Sequence, residues 1–224
     1  MKPLIVMPAV KNVHVTREAI DSVINHDVDI ILCANGADED IIALFNEYGE
    51  RVTVWIEPVN IGVNPVWNKF MDYFIKSDYT HLGIMNNDII FQHQWLDYLK
   101  LWSVDNEQII VVEVDKDKVK ESVDLTCSDT TTVTEGTNGI FIWLTKEQAK
   151  IVYPIPNGIK IWFGDNWIHY KLRKAGHPTV IHYNFRAFHQ GSVTVQSVEG
   201  VSEQIEQDKI AWEQIKLMIW IESI

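Results

Sequence analysis

The chain has 224 residues, 46% of them hydrophobic and 22% charged, which suits one globular domain with a substantial core and excludes a disordered or fibrous chain. Its formal net charge of −12 excludes a general coat for nucleic acid or anionic membrane. No stretch approaches about 20 apolar residues, and the opening MKPLIVMPAV turns polar at Lys11, so neither a spanning helix nor a secretory leader is expected. Cys33 and Cys127, the two cysteines, cannot build a disulfide framework or, alone, a zinc site, and a reducing, cytoplasmic setting is the expectation. The charge is uneven: residues 158–192 carry Lys160, Lys171, Arg173, Lys174 and Arg186 against Asp165, a balance of +4 that leaves −16 elsewhere. Such a segment suits a phosphate-bearing ligand or, equally, a solvated helix face.

In chain order, residues 4–7 form a short apolar run closed by Pro8, as where a strand leaves a sheet. Residues 15–23 have helical spacing, with Thr16 as a candidate N-cap. A second buried strand at 29–34 ends in Asn35, Gly36, Ala37 and Asp38, and a helix over 38–48 is closed by Gly49. A third strand at 52–56 leads through the loop Pro58-Val59-Asn60-Ile61-Gly62 to a helix at 64–75, with Pro65 tolerated in its first turn. The fourth strand, 82–85, stops abruptly at Asn86, Asn87 and Asp88. Taken alone, that triplet is an ordinary polar turn.

The alternation of strand and helix predicts a doubly wound, mostly parallel α/β sheet with helices on both faces. Right-handed crossovers then bring all four strand ends to one crevice at the carboxyl edge. Beyond it the sequence predicts a helix at 94–102, a strand at 109–114, a polar loop or unregistered hairpin at 115–134, and a strong strand at 139–144. A helix at 145–152 is opened by Thr145 with Gln148 at the capping-box position. Residues 162–167 enter a helix running to Ala175, a last strand covers 179–183, and Phe185 onward carries Arg186, His189, Gln190, Gly191 and Ser192. Residues 201–224 read as an amphipathic helix packed on the body or, as the lesser alternative, meeting a second copy.

In this layout the chain resembles the GT-A fold glycosyltransferases, family 2 in particular, over nearly its whole length. The match rests on Pro8 and Asn12 after the first strand, on the Asn35-Gly36-Ala37-Asp38 turn, and on Asn60-Ile61-Gly62 with the later Asn68. It continues with Asn86-Asn87-Asp88 in place of an Asp-x-Asp metal motif, with Gly164-Asp165 at the acceptor-side helix ending in Arg173 and Gly176, and with His189-Gln190-Gly191-Ser192. An acid is commoner at the position of Ala34 or Asn35, and the acceptor helix starts with one acid where the family has two. The resemblance implies a single domain over 1–200, with 1–102 as a Rossmann-like nucleotide-sugar half and 103–200 as the acceptor-side half. It also implies that Pro8, Asn12, Asn35, Gly36, Asp38, Asn60, Gly62, Asn68, Asn86 and Asn87 surround the nucleotide sugar, a UDP-sugar above others, and that Asp88 binds Mn²⁺ or Mg²⁺.

The chemistry needs these residue types. A divalent cation bridging two phosphates neutralises the leaving group, and it takes oxygen ligands, few of them from protein. Asp88 supplies charge, and His189 supplies a nitrogen suited better to Mn²⁺ than to Mg²⁺, or else is structural. Asp165, ionised at neutral pH, is the candidate general base for the acceptor hydroxyl, with a helix N-cap as its bland alternative. Displacement by that hydroxyl inverts the anomeric carbon. Trp162, Phe163 and Trp167 can stack on a sugar or serve the core. Two other functions stay open: a GT-A domain that binds nucleotide or glycan without turnover, and a bacteriophage-type transferase acting on a hydroxylated DNA base. The acceptor (glycan, small molecule or modified DNA) and the oligomeric state are not fixed by the sequence.

Overall fold

The computed structural model describes residues 1–134, 139–191, 198 and 200–221. The first half alternates as expected: β1 (Pro3–Ala9), α1 (Val13–Val23), β2 (Asp29–Asn35), α2 (Glu39–Glu47), β3 (Thr53–Glu57), α3 (Val63–Lys76) and β4 (His81–Met85). There follow β5 (Ile89–Phe91), α4 (Trp95–Trp102), β6 (Gln108–Glu113), β7 (Thr130–Val133) and β8 (Phe141–Thr145). The described chain ends with α5 (Lys146–Val152), α6 (Gly164–Lys174), β9 (Thr179–His189) and α7 (Val201–Ile221).

The main sheet has the order β3-β2-β1-β4-β8, with β1 to β4 mutually parallel and β8 antiparallel to β4. β1, central, is buried at every position, which is why it reads as an unbroken apolar run and not as an alternation. Ile20, Phe45 and Trp95 cover one face of the sheet and Trp67, Phe70, Ile168 and Ile215 the other, so helices sit on both sides. The capping box of α5 is present, Thr145 accepting from Gln148 N and Gln148 reaching back to Thr145 N.

A smaller sheet, β5-β9-β6 with β7 also on β9, leans against the end of β4. Phe141 of β8 packs against Phe91 of β5 and Phe185 of β9, ring centroids 4.9 and 5.8 Å apart, and this aromatic seam fixes one sheet on the other. Here the structure departs from the sequence expectations. β5 was not anticipated, the polar 115–134 stretch contains β7, and β9 continues six residues beyond Tyr183 to reach His189. Thr16 does not cap α1: the N-cap position is Asn12, in a left-handed conformation with φ 69° and without a side-chain capping bond, while the buried Thr16 hydroxyl receives the Asn87 amide at 2.8 Å.

One buried histidine has a measurable consequence. His169 of α6 is 4% exposed, and its Nδ1 lies 2.7 Å from Gln108 Oε1. Gln108 spends its own N–H on His177 O, so the ring nitrogen is the donor. Desolvation, aided by Arg173, lowers its pKa to about 4 from an ordinary 6.5. The unfolded chain therefore binds one more proton between these values, and stability falls as pH drops through that window. The expected loss from this group is about 2 kcal/mol by pH 5 and about 3 kcal/mol below pH 4. Urea unfolding of wild type and His169→Gln at pH 7 and pH 5 checks this; the variant should lose that part of the pH slope.

Candidate active site

Four strand ends meet as the topology requires. Pro8 and Ala9 at the end of β1 with Val10 after it, Asn35 at the end of β2, Asn60 and Gly62 after β3, and Asn86, Asn87 and Asp88 after β4 line one cavity of about 380 Å³. Its opposite wall comes from Gly139, Trp162, Phe163, Asp165 and His189, supplied by the second half of the chain. No lysine or arginine among the described residues lines it. The basic segment contributes to the wall through Trp162, Phe163, Asp165 and His189 but not through its cations, of which Lys171 and Lys174 rest over the rings of Trp167 and Tyr170.

Asp88 is 5% exposed, at the junction of β4 and β5. The antiparallel register of Ile89 with His189 sets the two side chains together, Asp88 Oδ2 lying 3.4 Å from His189 Nε2. Gln190 N closes the turn on Asp88 O at 3.0 Å. Glu113 Oε2 lies 3.5 Å from the other ring nitrogen. The hydrogen bond to Asp88 raises the His189 pKa above its ordinary value, against the opposing effect of burial. Asp88 Oδ1 is buried and has no hydrogen-bond partner among the described residues. A buried carboxylate oxygen without a partner is costly in a folded chain and is a mark of a ligand site.

The fold family implies a divalent cation here, and the donor set fits one, although the described residues contain no group of three or more His, Cys, Asp or Glu able to hold a metal. Asp88 and His189 offer an oxygen and a nitrogen side by side, and a cleft lined by carboxylates without lysine or arginine has no cation of its own for a phosphate.

The donor-side asparagines divide into two groups. Asn35, 2% exposed, donates to Asn60 Oδ1 at 3.1 Å and to Gly62 O at 3.3 Å, and accepts from Ile61 N at 3.0 Å. Its amide shapes the 60–62 loop from within. Asn87 binds Thr16 Oγ1 and Lys11 O, tying the turn after β4 to the start of α1. Asn12, Gly36, Asp38 and Asn68 are not in the cavity wall. Asp38 caps α2 by accepting from Ile41 N, and Asn68 clamps Ile155 through both its backbone groups, at 2.8 and 2.9 Å. Ser192 lies outside the described residues.

Asp165 stands in the first turn of α6, and the N-cap is Phe163 in a left-handed conformation, so capping is not the task of the Asp165 side chain. Gly139 lies against it: a Cβ there would come within 2.8 Å of Asp165 Oδ2. Asn64, 1% exposed in the first turn of α3, spans the two halves of the site. Its N donates to Lys160 O at 2.9 Å and its Nδ2 to Trp162 O at 3.0 Å and Ile159 O at 3.3 Å. Gly164 must be glycine beneath it, since a Cβ would lie 2.0 Å from Asn64 Oδ1. Trp162 is 42% exposed at the cavity rim, whereas Phe163 stacks on Trp212 of α7 at 5.5 Å and Trp167 binds Val152 O through its indole N–H. The three aromatics thus split between rim and core.

This arrangement of sheets, with the cavity at the parallel strand ends and an acidic residue closing β4, is the GT-A fold of glycosyltransferases. No protein-family model matches the sequence, and no curated protein matches it. Solved structures do. The mannosyltransferase PcManGT from Pyrobaculum calidifontis, in complex with GDP-Man and Mn²⁺, superposes with a TM-score of 0.63 at 11% identity, over 84% of this chain and 56% of that one. GalNAc-T7 with UDP, GalNAc and Mn²⁺ gives 0.62 at 12% identity, over 84% and 44%. S. aureus TarS 1-349 in complex with UDP-GlcNAc gives 0.60 at 12% identity, over 84% and 57%. The chain thus spans about half the length of the structures it matches. No helix among the described residues is long and apolar enough to cross a membrane.

Proposed function

We propose that the chain is a metal-dependent inverting glycosyltransferase that moves a sugar from a nucleotide sugar, a UDP-sugar foremost, to an acceptor hydroxyl. The observation that carries this is the buried Oδ1 of Asp88, without a hydrogen-bond partner among the described residues, beside His189 in a cleft that also holds Asp165. The structural neighbours in complex with GDP-Man, UDP and UDP-GlcNAc favour a nucleotide-sugar donor, and the Mn²⁺ in two of them favours Mn²⁺ over Mg²⁺.

Asp88 and His189 would hold the cation, which when bound supplies Lewis-acid stabilisation of the departing diphosphate. Asn60, Gly62 and Asn86 border the donor, and Pro8 and Asn87 shape the floor beneath it. Asp165 takes the proton of the acceptor hydroxyl, whose oxygen forms a bond to the anomeric carbon on the face opposite the leaving group. The carbon–oxygen bond to the nucleoside diphosphate breaks and its electron pair leaves with the phosphate, so the anomeric configuration inverts. Trp162 offers a partly exposed ring for stacking on a sugar face.

The test is incubation with Mn²⁺, a panel of nucleotide sugars and candidate acceptor glycans. Expected is release of one nucleoside diphosphate dependent on Mn²⁺, and a product of inverted anomeric configuration by NMR. Donor binding without release or hydrolysis of any nucleotide sugar would favour the non-catalytic binding domain instead. That second reading is motivated by Asn35, an amide whose polar atoms are all engaged with the 60–62 loop where an acid is commoner. A DNA-base acceptor gains no support from the cleft, whose described residues include no lysine or arginine for a phosphate backbone.

A further inference from the structure

The loop that delivers Asp165 to the cleft is held by an unexpected residue. Asp208, on α7, is 0% exposed, a carboxylate wholly removed from water. Its Oδ1 accepts from Lys160 N at 2.9 Å, and its Oδ2 accepts from Ile161 N at 2.6 Å and from Trp162 N at 2.8 Å. Gln204, one turn earlier on α7, adds its Nε2 to Oδ1 at 2.9 Å. Three successive backbone N–H groups thus converge on one carboxylate, and four charge-assisted hydrogen bonds offset its burial. Desolvating an ion for a surface loop alone would be an expensive solution, and the carbonyls of Ile159, Lys160 and Trp162 in the same loop are held in addition by Asn64.

We infer that Asp208 is a positioning residue for the transfer reaction, setting the backbone of residues 160–162 so that Trp162 and Asp165 face Asp88 across the cavity. Three observations meet in this assignment. The loop continues directly through Phe163 into Gly164 and Asp165, so a shift at 160–162 moves the base. Phe163 stacks on Trp212, one turn after Asp208 on the same helix, at an interplanar angle of 4°. The helix itself begins at the cavity, where Val201 is part of the wall. α7 is therefore a strap with one end at the donor cleft and its middle on the acceptor-side loop. Displacement of a catalytic group by about 1 Å can cost on the order of 10²-fold in rate, which sets the size of effect to expect. The assignment rests on the glycosyltransferase reading for its effect on rate, but not for its effect on the loop.

Two measurements on the full chain separate these levels. In Asp208→Ala, amide hydrogen exchange at Lys160, Ile161 and Trp162 should accelerate at least 10-fold while the amides of β1 and β4 keep their protection. In the transfer assay kcat should fall 10-fold or more with the KM for the nucleotide sugar within about 2-fold of wild type. Unchanged exchange at 160–162 overturns the assignment, and so does wild-type kcat in a variant whose loop exchange has risen. Should Asp208→Ala fail to fold, Asp208→Asn carries the same expectation, because its Nδ2 would face backbone donors where Asp208 presents an acceptor. Failure of the glycosyltransferase reading shows differently: wild type itself would then release no nucleoside diphosphate from any nucleotide sugar, while the exchange result at 160–162 stands.

Discussion

Asp88→Ala should lose at least 10²-fold in kcat/KM, roughly 3 kcal/mol of transition-state stabilisation, together with the Mn²⁺-dependent part of donor affinity. The argument starts from charge. The cavity is lined by Asp88, Asp165 and His189 without a lysine or arginine among its described residues, so a diphosphate entering it meets carboxylates and needs a cation to be tolerated. Asp88 brings both a formal charge and a buried oxygen that no group among the described residues satisfies. Replacement by alanine relieves an unsatisfied buried acceptor but also takes from His189 its Oδ2 partner, two effects of opposite sign on the fold. The expected signature is thus a split: a melting temperature near that of wild type, and calorimetric titration in which UDP binds equally with and without Mn²⁺. A variant that binds UDP more tightly with Mn²⁺, as wild type should, would remove Asp88 from the metal site.

The contrast between folding liability and chemical use also explains which features were legible in the sequence. β1, β2 and β4 are buried on both faces, so each is an apolar run bounded by turn residues, and the parallel half follows from them. Their shared carboxyl edge placed Asp88 in the cleft before any contact was known. β5 has three residues and β7 is Thr-Thr-Thr-Val with three exposed positions, so neither carries a period. β9 was cut short at Tyr183 because Asn184 and Arg186 interrupt it at the register shift against β6. Its extension to His189 is what pairs that histidine with Asp88. Asn12, Asp38 and Asn68 match a family pattern by position but spend their backbone or side-chain bonds on caps and a loop clamp, a distinction visible only in three dimensions. Asp208 left a faint trace: it falls at the 201, 205, 208, 212, 215 helical spacing of an otherwise apolar stripe, where an acid invites the question of its partner. That partner lies 46 to 48 residues away in the chain, on backbone atoms that have no sequence signature.

The second large effect belongs to Asp165, and it should differ in kind from the first. Asp165→Asn keeps the volume of the side chain, so the tight approach of Gly139 and the left-handed entry at Phe163 need not change. What disappears is the proton acceptor. General-base catalysis typically contributes about 10²- to 10⁴-fold, so kcat should fall within that range while donor affinity with Mn²⁺ stays near wild type. The amide cannot bind the proton released by the acceptor hydroxyl, whereas Asp88 and His189, across the cavity, remain able to hold the donor. Slow release of nucleoside diphosphate without acceptor should also persist, because water ionises by routes that do not require this carboxylate. A variant that transfers sugar at the wild-type rate would assign the base elsewhere, and a variant that loses donor affinity in step with rate would make Asp165 a donor contact. The two substitutions together therefore divide the cleft into a wall that holds the leaving group and a wall that activates the acceptor, which is the division expected if the two halves of the chain meet at this cavity to join two substrates.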